Sequence, residues 1–390
     1  VDLRGSSVVE WSDFARIIHP AAKLVAQGHM ADIYTVISHA PQQVSELSRF
    51  PATYAPEVEQ FREMPLVAWI MQQFGAWPVG IGLLIWHIYS LACLALSVYL
   101  ITQAAAHVEL EAEDSADVGW ACMSFAPLLL LLFQGQVGIA FGLLPLAAGY
   151  YLLIKNKPGF AGLVWALTIL KPAYLLVPLA NVIVQIMARR TRLAIAFGVG
   201  LALILGFTTM VSGDAFKSWL DVAAAFGVQN AQDARLDVSM VHAVLVTVPP
   251  VQQGPLFPIA MFVGGIIAVG GFMQINQVMQ SDEKDRWLVP FATMLGAFLT
   301  PVLLPHLPFA DLTALVIAGL VVHCMEWREH LEWRMMSIVR VNWIIINAYF
   351  ILYYFFRNIC HPAELIVFLL LFYRRLVEVV RFVAHTPEFE

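Results

Sequence analysis

Two carboxylates stand beside aromatic residues near the start of this 390-residue chain: Asp13 in Trp11-Ser12-Asp13-Phe14, and Asp32 in Asp32-Ile33-Tyr34. At a bilayer surface, aromatic neighbours partly desolvate a carboxylate and tune it for proton abstraction, the work of a general base. Position alone leaves a second role open, because Ser12 or Asp13 could instead N-cap the helix expected over residues 15–28. Further along, Lys171 precedes Pro172 in the middle of an apolar stretch. Such a lysine either snorkels to an interface or pairs with an anion, for which lipid phosphate is the obvious candidate.

Four more residues could meet a polar substrate. Gln136, in the turn Gln134-Gly135-Gln136, either satisfies helix-end backbone or hydrogen-bonds a ligand in a cavity. His306 and Asp311 share the segment Pro305-His306-Leu307-Pro308-Phe309-Ala310-Asp311-Leu312. Asp311 falls just inside an apolar run, where a carboxylate is costly and usually functional. Two ligands at this spacing are weak support for a metal, and hydrogen bonding to a sugar or phosphate fits as well. Arg62, beside Glu63 and Pro65, is a candidate anion contact or half of a surface ion pair.

The elements that must position these residues are apolar helices. Hydrophobic residues make up 60% of the chain and charged residues 13%, against about a quarter charged in soluble domains. So little charge cannot cover a soluble surface, so lipid must cover it. Spans are expected at about 79–102, 118–133, 137–154, 193–212, 255–275, 287–304, 307–324, 341–356 and 363–375, with two shorter pieces at about 159–170 and 172–188. The net charge of -6, with no basic cluster longer than Arg189-Arg190-Thr191-Arg192, speaks against nucleic-acid binding. Cys93, Cys122, Cys324 and Cys360 are scattered and read as core residues. The chain opens at Val1 without an apolar start, so a segment is expected ahead of it; as a signal-anchor, that segment would deliver Val1 to the far side of the membrane.

Basic residues mark the cytoplasmic loops: Lys155 and Lys157; Arg189, Arg190 and Arg192; Lys284 and Arg286; Arg328, Arg334 and Arg340; Arg374 and Arg375. The loops at 155–158 and 189–192 then share one side. The stretch between them must therefore be two short helices broken at Lys171-Pro172, with the lysine at the tip. Helices broken this way are tolerated where they line a cavity. The expected organisation is an external segment over 1–64 with amphipathic helices, a bundle of about 10–11 helices over 65–380 that includes an external loop at 213–254, and a cytoplasmic tail over 381–390. The fold class is an all-α polytopic membrane protein.

The order of these pieces is informative as a set. Asp13-Phe14 precedes an Ala-rich helix, Gly28 and Ile33-Tyr34 follow, and Phe61 to Pro65 lead into a span with Trp86. Gly135-Gln136, Ala161-Gly162, Leu170-Lys171-Pro172, Thr300-Pro301, His306 and Asp311-Leu312 come after. This order resembles the polyprenol-phosphate-mannose-dependent mannosyltransferases, glycosyltransferase family 87 of the GT-C superfamily, over nearly the whole chain from Asp13 to about Leu320. The resemblance implies a GT-C-like bundle in a bacterial inner membrane, with its active site on the periplasmic face. Mannose or another hexose or pentose would pass from a polyprenyl-phosphate donor to a glycolipid or glycan acceptor, with inversion. Asp13 would be the base, with Asp32 as fallback. Lys171 would neutralise the donor phosphate, and Gln136, His306 and Asp311 would line the sugar pocket. No cofactor or metal is implied, and no protein partner is indicated.

Two positions depart from the family pattern. Gly138 stands where an Asn is usual two residues after Gly135-Gln136, and Arg62-Glu63-Met64-Pro65 replaces an aromatic-Pro-Pro approach. Both point to a different acceptor or donor, or to a relative without activity. A non-catalytic subunit of a membrane assembly and a transporter or lipid flippase therefore stand as alternatives; no inverted repeat is apparent to support the latter.

Overall fold

A computed structural model describes residues 12–34, 61–106, 124–229, 239–245, 250–280, 284–304, 307–319 and 344–349. A π-helical turn, Phe14–Ile18, runs into α1 (His19–Ala26), followed by a 3-10 turn at Met30–Asp32. Then come α2 (Pro65–Gly75), α3 (Val79–Ala106), α4 (Ala126–Gln134), a second π turn (Ile139–Leu143) and α5 (Leu144–Ile154). Next, α6 (Pro158–Ala166) is extended by a 3-10 turn at Leu167–Leu170, and after Lys171 another at Pro172–Tyr174 leads into α7 (Leu176–Met187). The rest is α8 (Arg192–Ser212), α9 (Asp214–Gln229), α10 (Met240–Leu245), α11 (Pro250–Val278), α12 (Lys284–Leu303) and a 3-10 turn at Phe309–Ala314.

The expected all-α polytopic membrane architecture is the one the chain adopts. Among the described residues, Val79–Ala104, Arg192–Ser212 and Leu256–Val278 are long and apolar enough to cross a membrane. Within α3, Leu83, Trp86, Ser90, Cys93, Leu94, Ser97, Ile101 and Ala104 are buried. That is the three-and-four spacing of one helical face. Leu84, Ile88 and Leu96 on the other face are exposed, as lipid contact requires. Within the stretch expected as a loop at 213–254, residues Asp214–Gln229 form the helix α9.

Small residues set the directions of the central helices. A Cβ on Gly162 would lie 2.6 Å from the Leu193 carbonyl, and one on Gly200 would lie 2.6 Å from the Ala166 Cβ. Going up α6 therefore means going up α8, so the two run parallel with their starts side by side. The helix between them in sequence, α7, must run back. This is the predicted return at Lys171-Pro172. Lys171 has φ -132 and ψ 84, outside the helical region, as expected of a residue whose proline neighbour disfavours it. Thirteen residues of α6 and its extension span about 20 Å, so Lys171 lies at the far end from Lys157 and from the Arg189–Arg192 loop.

The same logic delivers Asp311. A Cβ on Gly296 would meet the Val177 Cα at 2.5 Å, and the Asn181 amide nitrogen donates to the Thr293 hydroxyl at 3.1 Å. Thus α12 runs antiparallel to α7 and ends at the Lys171 end, where the buried turn Phe309–Ala314 follows.

The turn expected at 134–136 also forms. Gly135 ends α4 in the left-handed region (φ 65), and the chain bends by 120° between Ala126–Gln134 and Ile139–Ile154. Residues 124–133 of the span expected at 118–133, 307–319 of that at 307–324 and 344–349 of that at 341–356 are described; the one at 363–375 lies outside the described residues. α5 runs from this turn to Lys155, so Gly135 also sits at the end opposite the basic loops.

Candidate active site

Lys171 is 8% exposed, too buried to keep its charge without partners. It has two. Its ammonium lies 2.8 Å from a Glu63 carboxylate oxygen and 3.4 Å from one of Asp311. The Glu63 contact is a charge-assisted hydrogen bond; the Asp311 contact is longer and mainly Coulombic. Among the described residues, two carboxylates therefore stand against one ammonium. The backbone that carries Glu63 is fixed from two directions. The Tyr34 hydroxyl donates to the Glu63 carbonyl at 2.7 Å, and the Trp219 indole donates to the Arg62 carbonyl at 3.2 Å.

The second group forms where the π-helical turn Phe14–Ile18 meets the Gly135 turn. Ser12 donates its hydroxyl to the Gln134 carbonyl at 3.0 Å, and the Trp86 indole donates to the Gly135 carbonyl at 2.8 Å. Phe14 stacks on Trp86 with ring centroids 6.3 Å apart. Glycine is required at 135, since beyond its positive φ a Cβ there would sit 2.9 Å from that of Phe14. With this contact made, Gln136 donates its amide to an Asp13 carboxylate oxygen at 2.6 Å and to the Gln134 side-chain oxygen at 3.0 Å. Asp13 makes no capping bond to the turn it precedes. The capping alternative is therefore not the arrangement adopted. The neutral Gln136 amide helps to hold the Asp13 carboxylate in orientation, which suits a base.

Tyr174 joins the two groups. Its ring lies along Gly142, where a Cβ would come within 2.5 Å of it, and its hydroxyl is 2.9 Å from the position of a Gly138 Cβ. The glycine that replaces the expected Asn at 138 thus makes room for a tyrosine from the break after Lys171. This hydroxyl is fully buried, faces Asp311 and Thr313, and closes no hydrogen bond of good geometry among the described residues. The Gln136 side-chain oxygen is likewise buried without a hydrogen-bond partner among the described residues.

Of the residues singled out from sequence, the structure brings Lys171 to Asp311 and Asp13 to Gln136. Asp32 sits half exposed on its 3-10 turn, paired with His29 at 3.5 Å. Arg62 is exposed, and its carbonyl anchors Trp219. His306 lies outside the described residues. Sequence reading passed over Glu63 and Tyr174. Glu63 had a signal, since a buried lysine needs a counter-ion and Glu63 is a carboxylate at the approach to the first span. Tyr174 had only its nearness to Lys171.

The fold and site define an integral membrane protein that gathers lysine, carboxylate and amide groups at one end of its helices, away from its basic loops. The chain belongs to glycosyltransferase family 87, whose sequence model matches residues 64–305, more than half of the chain. It is therefore a membrane glycosyltransferase. Comparison with curated proteins and with solved structures gave no match. The matched region holds Lys171 and Gln136 but stops short of Asp13, Glu63 and Asp311. For these three residues the structure supplies the link.

Proposed function

We propose that the protein transfers a hexose or pentose, mannose foremost, from a polyprenyl-phosphate donor to a glycolipid or glycan acceptor on the external face of a bacterial inner membrane. One observation carries this reading: a buried lysine at the tip of a broken helix pair shares the end opposite the basic loops with an aspartate held by Gln136 at 2.6 Å. By the positive-inside rule that end is external. A lysine at membrane depth suits a lipid-borne anion better than a soluble nucleotide.

In this reading the Asp13 carboxylate takes the proton of the acceptor hydroxyl. The hydroxyl oxygen attacks the anomeric carbon, the bond from that carbon to the phosphate oxygen breaks, and the polyprenyl phosphate leaves from the opposite face. The configuration inverts. Lys171 stabilises the negative charge that grows on the leaving oxygen. Asp311, the Gln136 oxygen and the Tyr174 hydroxyl supply the acceptor and donor groups that sugar hydroxyls require, with His306 as a further pocket residue. No step calls on a metal. Asp32, paired with His29, is the reserve base.

The test offers one radiolabelled sugar on two carriers, a polyprenyl phosphate and a nucleotide diphosphate, to membranes holding the protein. Transfer from the lipid-linked donor alone is expected. Transfer from the nucleotide alone would overturn the reading.

A further inference from the structure

The cation assigned to the donor phosphate is already occupied. Glu63 holds Lys171 at 2.8 Å, a hydrogen-bonding distance for a phosphate oxygen too, and Asp311 stands behind at 3.4 Å. A phosphate cannot simply be added. Among the described residues the group sets two carboxylates against one ammonium, and a phosphodiester would bring a third anion into a buried position, where uncompensated charge is most costly. One carboxylate must leave.

The two carboxylates differ in their freedom to do so. The Asp311 side chain is 3% exposed and belongs to a turn buried along its whole length, Phe309–Ala314. The Glu63 side chain is 19% exposed and sits on the non-helical approach to α2. Tyr34 and Trp219 hold the backbone there through the Glu63 and Arg62 carbonyls, so side-chain rotation alone suffices to carry the carboxylate to water. With Glu63 out and a phosphodiester in, the group again holds one ammonium and two anions, and its net charge is unchanged.

We propose that Glu63 occupies the donor-phosphate subsite as a stand-in anion, and that the phosphate of the lipid-linked donor binds by exchanging with it on Lys171. Asp311 is the permanent counter-ion. The fixed charge of Asp311 also works against the product, because a phosphate monoester carries between one and two charges at neutral pH, where the diester carried one. Return of Glu63 to Lys171 then favours release. The inference rests on the polyprenyl-phosphate reading, and it makes a prediction of unusual sign: removing a hydrogen-bonding acidic residue from the site tightens anion binding.

The test measures binding of farnesyl phosphate to the full chain in detergent, with farnesol and inorganic phosphate as controls, for wild type, Glu63→Gln, Glu63→Ala and Lys171→Met. The expected result is that both Glu63 variants bind farnesyl phosphate about tenfold more tightly than wild type, equivalent to about 1.4 kcal/mol, while Lys171→Met loses most binding and farnesol shows no difference. Glu63→Gln keeps the side-chain shape, so it reports even where the alanine variant folds poorly. Equal or weaker binding by the Glu63 variants, with wild-type binding dependent on Lys171, overturns the exchange and leaves the donor reading standing. Farnesyl phosphate binding that is absent throughout, or indifferent to Lys171, overturns the phosphate subsite itself. Inorganic phosphate matching farnesyl phosphate would assign the site to a free anion instead of a lipid one.

Discussion

Replacing Lys171 with methionine keeps the volume of the side chain and removes its charge, which leaves Glu63 and Asp311 facing each other. Breaking a buried ion pair by deleting one partner costs about 3–5 kcal/mol, because the remaining charge stays out of water. The two residues left behind differ in how they meet that cost. Glu63, at 19% exposure, can turn to solvent, whereas Asp311, at 3%, cannot. The expected loss is therefore that of one stranded carboxylate, about 3 kcal/mol. Glu63→Gln and Asp311→Asn each leave Lys171 with one carboxylate, so each should cost no more than about 1 kcal/mol, near the value of a single net hydrogen bond. Combining Lys171→Met with Asp311→Asn removes the stranded charge and should recover most of the loss, a coupling of about 2 kcal/mol that a double-mutant cycle would report. Unfolding in mixed detergent micelles measures all four. If Lys171→Met proves no worse than Glu63→Gln, or if the double variant shows no recovery, the three groups do not depend on one another as described.

Other expectations follow from single contacts. Gly142→Ala would drive a methyl into the Tyr174 ring and should destabilise by about 1–3 kcal/mol; pairing it with Tyr174→Leu should relieve most of that in the same unfolding assay. Tyr174→Phe removes a buried hydroxyl that closes no hydrogen bond of good geometry among the described residues, so stability should hold or rise while sugar transfer falls, and a loss of stability would contradict the geometry. Burial, with a contribution from the Glu63 charge, pushes the Tyr34 hydroxyl well above its ordinary value. The unfolded chain then ionises at about pH 10 while the folded chain stays protonated. The stability held below that pH falls as pH rises beyond it, and Tyr34→Phe should remove that part of the alkaline slope.

The break at Lys171-Pro172 was legible because three local facts conflict with a single span: a charge, a proline and basic loops on both flanks. Its consequence, α6 parallel to α8 with α7 returning, follows from loop charge alone. The turn at Gly135 was legible as a turn, but its 120° bend was not, since bending depends on Phe14 and Trp86 arriving from distant segments. Asp13 illustrates the limit from the other side. Sequence left Asp13 open to capping its own turn, and the contact it makes instead comes from Gln136, 123 positions away. Glu63 stayed hidden for the same reason, because its partner lies 108 positions on. Tyr174 was less visible still. Two glycines four residues apart read as ordinary helix-packing positions until a ring is seen lying along them. What local chemistry encodes was readable, and what long-range contact selects was not.

Asp13 is the proposed base of a lipid-linked sugar transfer. Its most direct test is the rate of radiolabelled sugar transfer from a polyprenyl-phosphate donor to membrane acceptors by wild type, Asp13→Asn and Asp32→Asn, with folding of each confirmed by its unfolding midpoint. Loss of a general base is expected to cut the rate by about 10²–10⁴-fold in Asp13→Asn, with the Asp32 variant close to wild type. Transfer by Asp13→Asn at the wild-type rate, or a loss confined to Asp32→Asn, would contradict the account.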